Sequence, residues 1–283
     1  EITTSPRWRA IVEVITVGET YFLRNQDQFA ALRERVLPSL IEQRRNSGLR
    51  YLNFWSAGCA TGEEPYSLAM LLHELLPDLG NWTVSILGTD INLASLETAQ
   101  RGVYKPFSFR SETPSNLVSR WFTPYGKVYE LHPGIRRMVT FSPLNLVSDN
   151  YPSFETRTQF MDIILCRNVT IYFDHDTTKR VIQRFYQALK PGGWLIVGHA
   201  EPMNSTYSAF LTHNFPNAVF YQKPLDAPLF GAAPDLSEDD TQPVRIMPFV
   251  NTPSSVEVVE APPKEDLIAQ AQTAADREDW PTA

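Results

Sequence analysis

The chain has 283 residues, of which 43% are hydrophobic and 20% charged. These proportions exclude a wholly disordered chain, a collagen-like fibre and a coiled coil. The 32 acidic and 25 basic residues give a formal net charge of −7, which argues against nucleic-acid binding because such proteins carry a basic surplus. The charge is unevenly placed. Residues 1–223 hold 22 basic and 20 acidic residues, so the acidity belongs to the rest of the chain.

The two cysteines, Cys59 and Cys166, are too few for a disulfide framework or a zinc site. Both lie in apolar segments, which predicts buried, reduced thiols. No segment approaches the roughly 20 apolar residues that a membrane helix needs, and residues 1–9 do not have the pattern of a signal peptide. We therefore expect a cytoplasmic protein without membrane insertion and without a bound metal.

Residues 1–50 form a helical N-terminal region by pattern. Apolar side chains at helical spacing predict a helix over 8–15 and a longer one over 28–46, which Gly48 is placed to end.

From residue 51 to residue 223, strands alternate with helices. Apolar runs predict strands over 51–55, 82–88, 161–166, 194–198 and 218–223, the last as an edge strand, and periodic segments predict helices over 63–76, 92–100 and 174–189. Pro191, Gly192 and Gly193 separate the last helix from the strand that follows it. This order predicts an α/β fold with a doubly wound, Rossmann-like sheet.

One stretch, residues 103–144, breaks the alternation. Its apolar runs and its turns at Gly126 and at Pro133-Gly134 are typical of β-hairpins. We interpret residues from about 105 to 140, which include the run 137–141, as a small β subdomain inserted into the larger domain.

The C-terminal residues differ in composition. Residues 224–263 contain eight prolines and seven acidic residues against one arginine, which predicts an extended linker. Residues 264–283 regain an apolar stripe at helical spacing and predict a helix.

The strongest local motif follows the first strand and reads SAGCATGEEP over residues 56–65. A glycine turn between the first strand and first helix of an α/β sheet is a common nucleotide site, in which Gly58 permits the turn and Gly62 permits close packing. Glu63 and Glu64 begin the helix and would repel phosphates. The motif therefore favours a ligand with an adenosine end and a positive charge over a diphosphate. A turn without a ligand is the alternative.

Polar residues follow the other strands at the edge where ligands of such sheets bind. Asp90 ends the second strand at the position that commonly accepts the ribose hydroxyls, although a helix cap is the alternative role. Asn145, Arg167-Asn168 and Tyr172 follow further apolar runs, and each alone is more often a plain loop residue. His199 also stands at a strand end, where a structural role is as well supported as a functional one.

Six ordered segments carry a resemblance to a known family. They read TVGETYFLR (16–24), WSAGCATGEEPYSLAM (55–70), GTDIN (88–92), FSPLNL (141–146), DIILCRNVTIYF (162–173) and LKPGGWLIVGHAE (189–201). Over about residues 8–223 the chain resembles the CheR-type chemotaxis protein methyltransferases. The resemblance implies S-adenosylmethionine as cofactor, methylation of glutamate side chains of chemoreceptors, and S-adenosylhomocysteine as product.

The resemblance also implies the site residues. It assigns Thr20 and Arg24 to a segment over the cofactor, with Arg24 at the acceptor site, and Gly58 to the glycine turn. It assigns Glu64 to the methionine part of the cofactor, Asp90 to the ribose, and Tyr172 to the side of the sulfonium. Around the adenine and methionine ends it assigns Asn145, Leu146, Arg167 and Asn168. Gly18 departs from the pattern, since many members have a polar residue there.

The partners implied are the cytoplasmic helices of chemoreceptors, and in some members the small β subdomain docks a receptor tail. Members usually begin with a helical domain, of which residues 6–15 match about the last helix. Residues 269–283 resemble the start of a tetratricopeptide repeat, which some members carry, so a further protein partner is expected there.

A glutamate acceptor is ionised at pH 7 and needs no general base, which agrees with a sequence that offers no catalytic triad. Two alternatives remain open. One is a methyltransferase of the same fold that acts on a small molecule or RNA, and the other is a non-catalytic S-adenosylmethionine-binding signalling module.

Overall fold

The computed structural model describes residues 5–16, 18–110, 113–201 and 205–229. The predicted linker, except for its first six residues, and the predicted helix over 264–283 lie outside the described residues. Among the residues described, no helix has the length and apolar character needed to cross a bilayer.

Seven strands form the main sheet, which confirms the predicted α/β fold. They are β1 (Tyr51–Ala57), β2 (Thr83–Asp90), β6 (Val139–Pro143), β7 (Met161–Cys166), β8 (Leu189–Val197), β9 (Leu211–Phe215) and β10 (Ala218–Gln222), in the spatial order β6-β2-β1-β7-β8-β10-β9. The first five in this order are parallel, and β10 is antiparallel to both β8 and β9. The carboxyl ends of the parallel strands therefore share one edge.

Helices α1 to α8 pack around the sheet or connect its strands. They are α1 (Pro6–Ile15), α2 (Gln26–Ala31), α3 (Leu37–Asn46), α4 (Glu63–Leu75), α5 (Leu93–Arg101), α6 (Ser115–Trp121), α7 (Pro133–Arg136) and α8 (His175–Ala188). A π-helical turn, Leu32–Val36, joins α2 to α3, so residues 26–46 are continuously helical, as periodicity predicts, with a π-helical turn within the run. Gly48 follows α3 with a φ of +72° and ends this helical region as expected.

Both faces of the sheet are covered, which explains why its strands are apolar without alternation. In β1, Leu52 and Phe54 belong to one buried cluster, while Trp55 and Ala57 belong to the other. Helices α3 and α4 contribute to the first cluster, and α8 contributes to the second.

The strands predicted over 194–198 and 218–223 are both present, but the start of the first and the edge position of the second are wrong. Strand β8 begins at Leu189 and runs through Pro191–Gly193 as an irregular stretch with a register shift opposite β7, so these residues do not separate it from α8. The segment 218–223 is not an edge strand, because β9 pairs with its outer side. Strand β9 reads LTHNF and is only half-buried, which hides it from a search for apolar runs.

The inserted β structure is smaller than expected. Strands β4 (Phe122–Tyr125) and β5 (Val128–Leu131) form the predicted hairpin around Gly126, and β3 (Val103–Tyr104) joins β5 on its other side. The run 137–141 does not belong to this small sheet, because Val139–Pro143 pairs in parallel with β2 in the main sheet. The expected turn at Pro133-Gly134 is the short helix α7.

Phe22 joins the segment between α1 and α2 to this small sheet. Its fully buried ring packs against the rings of Tyr104, Phe109 and Phe122, with centroids 4.8, 5.2 and 4.9 Å away. Its amide donates a hydrogen bond to the carbonyl of Ser108 at 3.0 Å. Residues 18–25 are thereby held against the small sheet.

A buried carboxylate stabilises the main sheet near the amino end of β7. Asp162 on β7, 1% exposed, accepts hydrogen bonds from Arg44 Nη2 at 2.5 Å, Lys190 Nζ at 2.9 Å and the amide of Asn53 at 2.7 Å.

We expect Asp162→Ala to lower the free energy of unfolding by about 3–5 kcal/mol, because it leaves two cations without their partner. Urea denaturation measures this change. Asp149→Ala is the control, since Asp149 pairs with Arg184 but is 89% exposed, and an equal loss in both variants would contradict the prediction.

Candidate functional site

A cavity of about 400 Å³ opens at the carboxyl ends of β1, β2 and β7. This volume lies in the range of small-molecule sites, about 300–1,000 Å³. All the candidate site residues line it: Thr20, Arg24, Gly58, Glu64, Asp90, Asn145, Leu146, Arg167, Asn168 and Tyr172. The structure therefore brings together all ten residues that the resemblance assigns to the site.

The turn after β1 needs its two glycines for steric reasons. Gly58 has a φ of +76°, and a Cβ atom there would lie 2.4 Å from Cγ2 of Val169. Gly62 has a φ of +92°, and its Cβ atom would lie 2.8 Å from the Cβ of Ala99 on α5. A larger residue at position 58 would push the turn away from Val169, which lines the cavity, and one at position 62 would push it away from α5.

Asp90 ties this turn to the end of β2. Its Oδ2 atom accepts a hydrogen bond from the Ala60 amide, and its Oδ1 atom accepts one from the Asn92 amide, each at 2.8 Å. Burial raises the pKa of the carboxyl, and the same amide donors act against that shift. Each oxygen has capacity for a second hydrogen bond, so the carboxylate can receive a pair of ligand hydroxyls.

Glu64 and Arg167 form a buried ion pair on the next wall of the cavity. Glu64 Oε2 lies 2.9 Å from Arg167 Nη1, and Glu64 Oε1 accepts a hydrogen bond from Ser56 Oγ at 2.6 Å. Arg167 Nη2 donates to Asn25 Oδ1 at 2.7 Å and also to the carbonyl oxygen of Arg24. Burial lowers the pKa of the Arg167 guanidinium, and Glu64 opposes this. Arg167 thus connects the end of β7 to the segment before α2.

Arg24 stands on that segment at the cavity wall. Its Nη1 atom donates to the carbonyl of Glu19 at 2.7 Å, and its guanidinium carbon lies 5.8 Å from the centroid of the Tyr21 ring. The adjacent Leu23 amide donates to Ser67 Oγ at 3.0 Å. Arg24 is half-buried and lines the cavity, and its backbone is fixed on both sides.

The loop after β7 forms another part of the wall. Asn168 has a φ of +59°, and its Oδ1 atom is buried without a hydrogen-bond partner among the described residues. The Val169 amide donates to Oε1 of Glu201 at 2.9 Å. Glu201 is 3% exposed, and burial raises its pKa. Tyr172, in the turn Thr170–Tyr172, is 61% exposed at the mouth.

The loop after β6 supplies an apolar side. Leu144 and Leu146 are buried, and the Leu144 amide donates to the carbonyl of Asp90 at 3.0 Å. Asn145 Oδ1 accepts from the Val147 amide at 3.0 Å, which holds the loop in place.

Sequence reasoning missed several contributors to the cavity and its support. Thr16 lines the cavity, and its Oγ1 atom accepts a hydrogen bond from Asn92 Nδ2 at 2.8 Å. Asn25, Ser56 and Glu201 hold lining residues through the bonds given above. For Asn92 the sequence predicts only the role of a helix cap, which the structure confirms, since its Oδ1 accepts a hydrogen bond from the Ser95 amide.

Two other polar residues have structural partners. The His199 ring is hydrogen-bonded to Asn25 Nδ2 at 2.8 Å and to the Asn217 carbonyl at 2.7 Å, and it does not line the cavity. Glu63 accepts hydrogen bonds from Thr61 and Ser108 and does not line it either.

The chemistry of the cavity fits a nucleoside with a charged, non-phosphate extension. Asp90 offers paired acceptors, Asn168 an unused acceptor, and the leucines after β6 an apolar wall. Cys59 and Cys166 are buried and unpaired as predicted, and burial raises the pKa of both thiols, so neither is an activated nucleophile. Within the described ranges no three His, Cys, Asp or Glu side chains converge as metal ligands.

Comparison with known proteins identifies the family. Residues 18–219 match the family model described as CheR methyltransferase, SAM binding domain. Chemotaxis protein methyltransferase 2 of Vibrio cholerae serotype O1 is 34% identical over 217 residues, which are 76% of this chain and 73% of that protein. Chemotaxis protein methyltransferase 1 of Pseudomonas aeruginosa is 36% identical over 199 residues, 69% of this chain and 70% of that protein. Chemotaxis protein methyltransferase of Escherichia coli K12 is 36% identical over 202 residues, 70% of this chain and 65% of that protein.

The matched region contains every residue of the cavity wall from Gly18 to Phe173. The polar and apolar lining of the cavity and a match over most of the chain lead to the same conclusion. The chain belongs to the CheR methyltransferase family and is an S-adenosylmethionine-dependent methyltransferase.

Proposed function

We propose that this enzyme methylates glutamate side chains on the cytoplasmic helices of chemoreceptors, with glutamate methyl ester and S-adenosylhomocysteine as products, and that it acts in the cytoplasm. The observation that carries the proposal is Arg24, a fixed cation at the wall of a cofactor cavity. A guanidinium there suits a carboxylate acceptor, which it can bind by charge-assisted hydrogen bonds.

The residues of the cavity fit the cofactor. Asp90 would hold the ribose hydroxyls, the Leu144 and Leu146 side would pack on the adenine, and the unpaired Asn168 Oδ1 would accept from a polar group of the ligand. When bound, S-adenosylmethionine supplies a methyl group on a positively charged sulfur. Glu64 lies on the wall at which the methionine part would bind, and Arg167 keeps it oriented through the 2.9 Å ion pair.

The chain has to position the acceptor rather than activate it. A glutamate with an ordinary pKa near 4.3 is already ionised at pH 7, so no side chain has to remove a proton. Arg24 would hold the carboxylate from one side. Tyr172, at the mouth, would cover the other side and exclude water, which contributes to catalysis through orientation and a drier site.

Radiolabelled S-adenosylmethionine and a purified receptor cytoplasmic fragment test the proposal directly. We expect base-labile label on the fragment and none on a matched fragment in which the candidate glutamates are glutamines. Label on RNA or a small molecule in place of the fragment would overturn the acceptor class. Tight cofactor binding with no transfer to any acceptor would support a signalling module instead.

Glu201 gives a further prediction for this site. Its carboxylate holds the Val169 amide, and Val169 in turn contacts the turn at Gly58. We expect Glu201→Ala to lower the affinity for S-adenosylhomocysteine about tenfold, since a buried hydrogen bond to a charged group contributes about 1.5–3 kcal/mol. Glu201→Gln keeps an acceptor and should lose less.

Isothermal titration calorimetry measures both affinities, and thermal denaturation without ligand provides the control for folding. Equal affinities for Glu201→Ala and the parent would contradict a role of Glu201 in holding the loop.

The division of the chain into domains is part of the proposal and rests on the sequence. We propose residues 1–50 as a helical lead-in, 51–223 as the methyltransferase domain, 224–263 as a linker, and 264–283 as a contact for a further protein partner.

A further inference from the structure

Beside the cavity, two arginines and two aromatic rings form a continuous surface. Arg24 and Arg110 both approach the Tyr21 ring, with their guanidinium carbons 5.8 and 5.3 Å from its centroid. The Arg110 guanidinium also lies 4.2 Å from the centroid of Phe107, which is 61% exposed. We call Arg24, Tyr21, Arg110 and Phe107 the arginine–aromatic strip. It runs from the cavity wall outward.

The strip is built on a rigid base. Phe22 and Phe109, next to Tyr21 and Arg110 in the chain, stack with centroids 5.2 Å apart in the buried aromatic cluster. The Phe22 amide also bonds to the Ser108 carbonyl at 3.0 Å. Arg110 is therefore held at a fixed place relative to Arg24, although neither belongs to a helix or strand.

Arg110 has binding capacity left. Its Nη2 atom lies 2.5 Å from Glu19 Oε1, and its side chain is 36% exposed while that of Glu19 is 56% exposed. This pair uses one nitrogen of a guanidinium that has five N–H donors. A second carboxylate can bind beside Glu19 or replace it, because an exposed ion pair contributes little stability.

We infer that Arg110 is a second carboxylate-binding residue, which recognises an acidic side chain of the substrate near the glutamate that is methylated. The inference rests on the proposed function, since it takes Arg24 as the site of the acceptor. Tyr21 and Phe107 would contact the apolar and methylene groups between the two acids.

The spacing of the two cations defines the substrate. Both guanidinium carbons lie within 5.8 Å of one ring centroid, so they are at most about 11 Å apart. Residues on one face of a helix recur every three or four positions and rise about 1.5 Å each. The second acid therefore stands about one helical turn, three or four residues, from the acceptor glutamate, on the same face of the helix.

Three fluorescein-labelled helical peptides test the inference in the presence of S-adenosylhomocysteine. The reference peptide has one acceptor glutamate and glutamine four residues before and after it; each of the others has glutamate at one of these two positions. We expect one of these two to bind about fivefold more tightly than the reference by fluorescence anisotropy, as suits a partly exposed ion pair.

The variants assign this preference to Arg110. Arg110→Gln should abolish it, and Glu19→Gln should enlarge it by removing the competing carboxylate. Arg120→Gln is the matched control, because Arg120 also lies over an aromatic ring, Trp121 at 4.7 Å, and pairs with a carboxylate, Glu74 at 3.9 Å, but does not line the cavity or belong to the strip. It should keep the preference.

The inference is overturned if no peptide is preferred, if none binds, or if Arg110→Gln behaves like Arg120→Gln. Methyl transfer to the same peptides is measured separately. Failure of transfer together with an Arg110-dependent preference in binding would contradict the proposed function and leave the second carboxylate site intact.

Discussion

Replacing Arg24 with alanine should lower kcat for methyl transfer by about 100- to 1,000-fold, while the Kd for S-adenosylhomocysteine rises no more than about threefold. The loss of one fixed donor that acts on the reacting group typically has this effect on kcat. Arg24 is anchored by its bond to the Glu19 carbonyl, at 2.7 Å, so its charge is placed before the acceptor arrives. The cofactor has several other contacts in the cavity, which is why its affinity should change less.

Single-turnover measurements with radiolabelled cofactor separate the transfer step from binding, and calorimetry gives the affinity. Arg33→Ala serves as the control, because Arg33 is 60% exposed and forms a 3.4 Å surface pair with Glu74. Equal transfer rates in Arg24→Ala and the parent would remove Arg24 from the acceptor site. A loss of cofactor affinity as large as the loss of rate would make it a cofactor ligand instead.

Replacing Asp90 with alanine should weaken binding of S-adenosylhomocysteine about 100-fold. The carboxylate would lose two charge-assisted hydrogen bonds to the ribose, each worth about 1.5–3 kcal/mol, partly offset by water in the mutant. It also accepts from the Ala60 and Asn92 amides at 2.8 Å, so its removal loosens the turn after β1 as well.

Asp90→Asn changes the hydrogen-bonding atoms of residue 90 while it keeps the side-chain volume. The amide can accept at only one of the two positions, and its NH2 group would face a backbone donor, so we expect a loss of similar size without the change in side-chain volume. Calorimetry on both variants measures the affinity, and thermal denaturation without ligand measures the damage to the turn. An unchanged Kd in both would exclude Asp90 from the ribose site.

Much of the fold follows from local pattern. The strands that are buried on both faces, such as Met161–Cys166, are continuous apolar runs, and Asn92 and Asp174 cap the helices they were predicted to begin. Pairing between distant segments was harder to predict. Nothing local shows that Val139 pairs with Ile86, 53 residues earlier, and local pattern therefore assigns the run 137–141 to the wrong sheet.

The site residues also differ in whether local pattern could predict them. Asp90, Asn145 and Asn168 could be predicted because parallel strands end at one edge and polar residues follow them there. Thr20 and Arg24 precede the first strand, and only the resemblance pointed to them. Arg24 is held at the cavity by the packing of Phe22 and by the hydrogen bond from Arg167 to the Arg24 carbonyl oxygen. Neither contact produces a periodic pattern in the sequence.

The cluster around Phe22 also limits how this enzyme can be rebuilt. A small inserted sheet is an attractive part to exchange between relatives when it comes from one short stretch of the chain. Here β3, β4 and β5 lie within about 30 consecutive residues. The rings of Tyr104, Phe109 and Phe122 from that region pack around the ring of Phe22, which lies two residues before Arg24. The small sheet should therefore be exchanged together with residues 18–25. A chimera that receives the small sheet alone has the surrounding aromatic rings but lacks the matching Phe22 ring that packs between them.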